Sequence, residues 1–131
     1  MKIYAAFFVA SIAVFSASCF AETPCSKTSN DVELYQCSVK YKSQAEKELN
    51  HEYGLARERI VKMYGSQKKL GEQYAGIMVD TQRNWLKCRN GQCHLEAFAA
   101  EEGSNPYAVT TNLCIYRMDT ELTAVLKLLP Y

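Results

Sequence analysis

From residue 31 onward, apolar side chains recur at steps of three and four residues, and runs alternating at every second residue are nearly absent. The first period is that of a helix with one buried face and the second that of a half-buried strand, so the pattern predicts an all-α chain. Asn30-Asp31-Val32-Glu33 sets a capping residue three positions before a glutamate and opens a short helix running to about Lys42. Ser43-Gln44-Ala45-Glu46 repeats that signature. Behind it Ala45, Leu49, Tyr53, Ala56, Ile60 and Met63 share a face, and a left-handed turn at Gly65 is expected to end the helix.

A third helix is expected from about Ser66 to Arg89, with Leu70, Tyr74, Ile77, Thr81, Trp85 and Cys88 facing inward and Asn90-Gly91 ending it. Gly71 and Gly76 each cost it about 1 kcal/mol relative to alanine. Trp85, the single tryptophan, is expected at the centre of the core. Gln92 to Glu102 suits another short helix stopped by Gly103. Asn105-Pro106 opens the last one, because proline at the first helical position lacks only a donor that would be unpaired anyway. That helix carries Leu113, Cys114, Met118, Leu122, Val125 and Leu126 before Pro130. The expected architecture is a small, mainly antiparallel helical domain.

The first 21 residues have the layout of a secretory signal. Lys2 supplies the positive start, Tyr4 to Phe15 is an apolar run interrupted by Ser11, and Cys19-Phe20-Ala21 offers small residues where a signal peptidase reads. The run is too short for a permanent membrane span. A lipoprotein signal with Cys19 as the lipidated residue is the weaker alternative, because Ser16 stands where a leucine-like residue is expected. Cleavage leaves residues 22–131, a length that suits one domain in the periplasm or outside the cell. Without Lys2, 14 basic residues face 14 acidic ones. A neutral surface with interspersed signs carries no footprint for nucleic acid or anionic lipid.

Six cysteines invite a count of three bridges, but Cys19 leaves with the signal or is lipidated. Five remain, and an odd number in an oxidising compartment means two bridges and one leftover thiol. Cys88, on the inner stripe with Thr81 and Trp85, is expected buried as a small apolar residue rather than reactive beside Arg89. The stretch "WLKCRNGQCH" also has to be weighed as a cofactor site. Four residues separate its cysteines where haem attachment usually has two. A zinc site at Cys88, Cys93 and His94 lacks a fourth ligand, since His51 lies in another helix, and exported thiols tend to oxidise. A disulfide framework fits best, with His94 a surface residue beside a bridged cysteine, and no cofactor or metal is expected.

Catalytic groups are sparse. His51-Glu52 has no second histidine at metal-binding spacing and reads as part of a solvated, charge-rich face. Gln82, Arg83 and Arg89 flank Trp85 and could hold an anion, but side chains of this kind more often tie helix ends together. The expectation is a binding protein rather than an enzyme.

Four segments in order resemble the LprI-type lysozyme inhibitor family. "CSKTSNDVELYQC" has two cysteines twelve apart with Lys27, Ser29 and Glu33 between them, and "AEKELNHEY" supplies Ala45, Leu49, Asn50 and Tyr53. "TQRNWLKCRNGQC" supplies Gln82, Arg83, Trp85, Arg89 and Cys93, and Cys114 with Thr120 agrees with the closing motif. The resemblance covers nearly all of the chain after the signal. It implies a small exported helical domain bridged as Cys25–Cys37 and Cys93–Cys114, with Cys88 unpaired. It also implies a protein partner, a lysozyme or another peptidoglycan-cleaving enzyme. The chain departs from the family at Asn90, where an aspartate is usual, near Thr123, where an arginine is usual, and at Cys88, which replaces an aromatic or apolar residue.

Within the second implied bridge lies "EEGSNPYA", which contributes Glu101, Glu102, Ser104, Asn105 and Tyr107 as candidate contact residues. A loop closed by a disulfide loses less entropy on docking, and acidic groups suit a cationic target such as lysozyme. The same residues also describe an ordinary connector between helices. The Ser26–Asn30 arm beside the first cysteine is the second place to look. The runner-up function is an envelope or immunity-type module for a different secreted enzyme, and a monomer or weak dimer is expected.

Overall fold

The computed structural model describes residues 23–131 and builds them as three helices: α1 (Asp31–Met63), α2 (Lys68–Glu96) and α3 (Asn105–Leu126). The expected signal sequence and Cys19 lie outside the described residues. No helix among the described residues is long and apolar enough to cross a membrane.

The cap at α1 forms where the sequence places it, with the glutamate's return bond going to Ser29 rather than to Asn30. Asn30 Oδ1 accepts from the Glu33 N–H at 2.9 Å, while the Glu33 carboxylate accepts from the N–H (3.0 Å) and hydroxyl (2.8 Å) of Ser29. These bonds, the Ser29 N–H first, hold the Glu33 carboxyl below its ordinary value. From there α1 runs unbroken through Ser43, where a second helix was expected to begin. A capping box starts a helix only where the chain has stopped one, and no glycine or proline interrupts residues 31–53. Gly65 likewise supplies no left-handed turn; the Gln67 N–H bonds the Tyr64 carbonyl and carries the chain directly into α2.

Two further boundaries move. α2 continues through Asn90-Gly91 to Glu96, and no helix forms over 97–102. The extension places Cys93 on the helix, where its bridge to Cys114 and the surrounding burial outweigh about 1 kcal/mol of glycine cost. Ser104, not Asn105, caps α3 by accepting from the Tyr107 N–H, and Pro106 sits in the first turn as expected.

The helices run up, down and up. Ser38 meets Asn112 near the starts of α1 and α3, and Arg59 meets Leu126 and Leu129 near their ends, so these two lie parallel. α2 returns antiparallel to both. Leu49, Ala56, Ile60, Met78 and Leu126 form the main core, and Cys93, Cys114 and Ile115 a smaller one.

Rotation about the α2 axis is the largest departure from expectation. Met78, Arg89 and Cys93 face inward, while Leu70, Ile77 and Cys88 are exposed. Trp85 is half-buried at the margin of the main core, not at its centre. Met63 and Val125 are exposed as well.

Polar ties complete the packing. Arg59 donates to Glu52 (2.9 Å) and to the carbonyls of Leu126 (2.7 Å) and Leu129 (2.8 Å), satisfying the end of α3. Glu52 is therefore buried against a cation rather than solvated, whereas its neighbour His51 is exposed. Arg89 reaches the wholly buried Asp119 at 2.9 Å and lies 3.8 Å from Glu46.

Candidate functional site

Both disulfides lie at one end of the bundle, where α1 and α3 begin and α2 ends. Cys25–Cys37 ties the N-terminal arm to the second turn of α1, with a Cα separation of 5.8 Å. Cys93–Cys114 ties the last turn of α2 to α3, at 5.4 Å. Thr23 and Pro24 of the arm line an open groove of about 540 Å³ together with Glu96, Leu113 and Cys114. The arm and the facing parts of α2 and α3, far apart in sequence, thus line one surface.

The connector is short and locally fixed. Gly103 adopts φ 87°, a left-handed conformation that costs glycine nothing, and the Ser104 N–H bonds the Glu101 carbonyl at 3.0 Å. Glu101, Glu102 and Asn105 are exposed, while Ser104 is half-buried because its hydroxyl caps α3. Tyr107 is half-buried too, with its hydroxyl 2.6 Å from Nδ1 of the exposed His94 and the two rings edge to face. The expected contact residues therefore cluster, though two of them serve the helix start as well.

Sequence reasoning missed three neighbours. Phe98 is 81% exposed in the connector, a large aromatic with no core to join, and its only signal was its place just past the end of α2. Val32 is 61% exposed in the first turn of α1. Glu96 accepts from Arg117 at 2.6 Å and from Gln92 at 3.0 Å; Gln92 first, then Arg117, hold its carboxyl below the ordinary value.

Charge is segregated along the bundle. Segments 23–35 and 94–109, with Arg117 that pairs with Glu96, hold Asp31, Glu33, Glu96, Glu101 and Glu102 against Lys27 and Arg117, five acids and two bases, for a net −3. Setting aside Lys2 and Glu22, the described residues hold 14 bases and 13 acids, a net +1, so the remainder carries +4. A neutral composition conceals an acidic end.

The other candidates fall elsewhere. Cys93 is spent in its bridge, which removes it from any set with Cys88 and His94, and Cys88 carries a free thiol. Gln82, Arg83 and Arg89 do not converge on an anion. Arg83 is exposed beside Asp80 at 3.8 Å, whereas Arg89 turns inward between two carboxylates and lies 5.8 Å from the centre of the Trp85 ring. Arg89 is the one of the three that ties helices together, bonding Asp119 on α3 and lying near Glu46 on α1.

Comparison with known proteins gives three matches. Residues 22–126 match the family model described as lysozyme inhibitor LprI. A protein of Rhizobium meliloti (strain 1021), described as uncharacterized, is 32% identical over 112 residues, 81% of this chain and 78% of its own length. The crystal structure of a DUF1311 family protein of Pseudomonas putida KT2440 superposes with a TM-score of 0.67 at 26% identity, over 75% of this chain and 91% of that one.

Proposed function

The chain belongs to the LprI lysozyme inhibitor family, and from that premise we propose that it is an exported, non-catalytic protein that binds a lysozyme or another peptidoglycan-cleaving enzyme. The doubly bridged end would be the contact surface, and blockage of the glycan cleft the mechanism. The observation that carries this reading is the coincidence of a net −3 with an 81% exposed phenylalanine inside the Cys93–Cys114 loop, at the end of the bundle that carries both disulfides.

Each part has a physical role. Glu101 and Glu102 would raise the encounter rate with a cationic enzyme, an effect that fades as salt screens it. Phe98 and Tyr107 would supply rigid aromatic contacts, the residue class that dominates interface energetics once water is excluded. The two bridges keep the ordering cost of docking low.

The test is a peptidoglycan turbidity assay with lysozyme and the purified, oxidised domain. Inhibition is expected, with Glu101→Gln and Glu102→Gln together slowing association at low salt and mattering less at high salt. Tyr107→Ala should speed dissociation while circular dichroism stays unchanged. Full lysozyme activity under a large excess of folded protein would sink the reading. Inhibition indifferent to all three substitutions would move the contact to the Ser26–Asn30 arm.

A further inference from the structure

The apolar stripe of α2 that points away from the core is organised. Leu70 is 45% exposed, Ile77 69% and Leu95 69%, and Cys88 is exposed on the same line. Steps of seven, eleven and seven residues separate them. Thr81, Asn84 and Gly91 occupy intermediate positions at three-and-four spacing, while Tyr74, at the remaining one, packs against the core and the Tyr64 ring and borders the face. At about 100° per residue, every charged side chain between Leu70 and Leu95 falls off this face. In a chain with 22% charged residues, an uncharged and partly apolar face about seven turns long marks a surface that is covered.

The face is complementary to itself when two copies lie antiparallel. Setting Leu70 opposite the second copy's Leu95 places Ile77 opposite Cys88 and Thr81 opposite Asn84. Two-fold symmetry makes each pair twice. Apolar side chains meet at the outer steps, and the two polar residues meet near the centre. Asp80 and Lys87 lie on one flank, and in this register each comes within two residues, about 3 Å along the axis, of its opposite charge. A parallel arrangement would set Gly91 on Gly91 and leave those charges unmatched. The groove of about 270 Å³ that Ile77, Thr81 and Trp85 share with Val125 and Tyr131 continues the surface toward α3.

We propose that this chain forms an antiparallel two-fold dimer through the outer face of α2. A strip about 39 Å long and about 10 Å wide covers roughly 400 Å² per copy, half the area of a standard interface, so the association is reversible.

Sedimentation equilibrium of the oxidised protein from about 10 µM to 1 mM tests it. The apparent mass should climb toward twice the monomer value, and Ile77→Asp should weaken association at least tenfold with unchanged circular dichroism. Register is read separately by Ile77→Cys, oxidised in air with copper phenanthroline. It should give a covalent dimer bridged to Cys88, while wild-type Cys88, eleven residues out of register with its own copy, should not. A monomer at 1 mM, an Ile77→Asp variant that associates like wild type, or ready Cys88–Cys88 bridging would each overturn the proposal.

Discussion

Replacing Arg89 with methionine removes the guanidinium while keeping most of its length. Asp119 is wholly buried, Arg89 is 11% exposed at its side chain, and 2.9 Å separates their nearest atoms. A pair of charges about 4 Å apart at an effective dielectric of about 20 attracts by about 4 kcal/mol. Breaking such a pair from one side costs about 3–5 kcal/mol, because the survivor stays buried and unpaired. Some water reaches Arg89, so we expect about 3 kcal/mol at pH 7. For a domain of this size that lowers Tm by roughly 12–24 °C.

The acid response separates this cause from lost packing. Burial already raises the Asp119 carboxyl above its ordinary value; Arg89 opposes the rise, Glu46 adds to it and Lys42 subtracts from it. Without Arg89 the folded-state value climbs further. A group raised on folding contributes stability that is complete below its unfolded value and is lost as pH rises through the folded one. The deficit of Arg89→Met relative to wild type should therefore shrink as pH falls from 7 to 4, by up to about 1.4 kcal/mol per unit inside that window. Urea titrations followed by circular dichroism at several pH values measure it. Adding Asp119→Leu should restore most of the loss. A deficit under 1 kcal/mol at pH 7, or one that fails to shrink in acid, would refute the reasoning.

Cys88, exposed and unpaired, should react with iodoacetamide in the native protein at micromolar concentration, and mass spectrometry should find the other four described cysteines silent. Gly103→Ala should cost about 1 kcal/mol in a urea titration, since a φ of 87° is open to glycine and strained for alanine. Arg59→Ala should release the carbonyls of Leu126 and Leu129, read as faster amide exchange at the end of α3 than at its start.

Local signals were legible where they acted alone. Asn30 with Glu33, Asn105-Pro106 and the three-and-four spacing all produced helices near their expected places. The bridges came from the motif resemblance, because five cysteines admit many pairings. What could not be read was which of two stripes on α2 would face inward. Leu70, Tyr74, Ile77, Thr81, Trp85 and Cys88 make a better apolar stripe than Met78, Arg89 and Cys93. Yet one disulfide and one buried ion pair fix the helix about its axis. Glu52 was misplaced for a related reason: its partner Arg59 also binds the end of α3, a contact spanning about half the chain. The 101–107 segment was legible as a loop leading into a helix, whereas its place at the end of the bundle that also carries the first bridge is a product of topology.

The order of the bridged cysteines bears on how the chain is made. The pairs close residues 25–37 and 93–114 side by side, and neither loop contains a member of the other pair. A chain emerging from its N-terminus can therefore be oxidised in sequence, the first pair sealed before the second has appeared, with no earlier bond to be broken and reshuffled. Among the described residues Cys88 is the thiol that could divert this order, since it emerges just ahead of Cys93. Once α2 has wound, five residues of helix set the two about 7.5 Å apart along the axis and on different sides, and Cys114 on the arriving helix meets Cys93 unopposed.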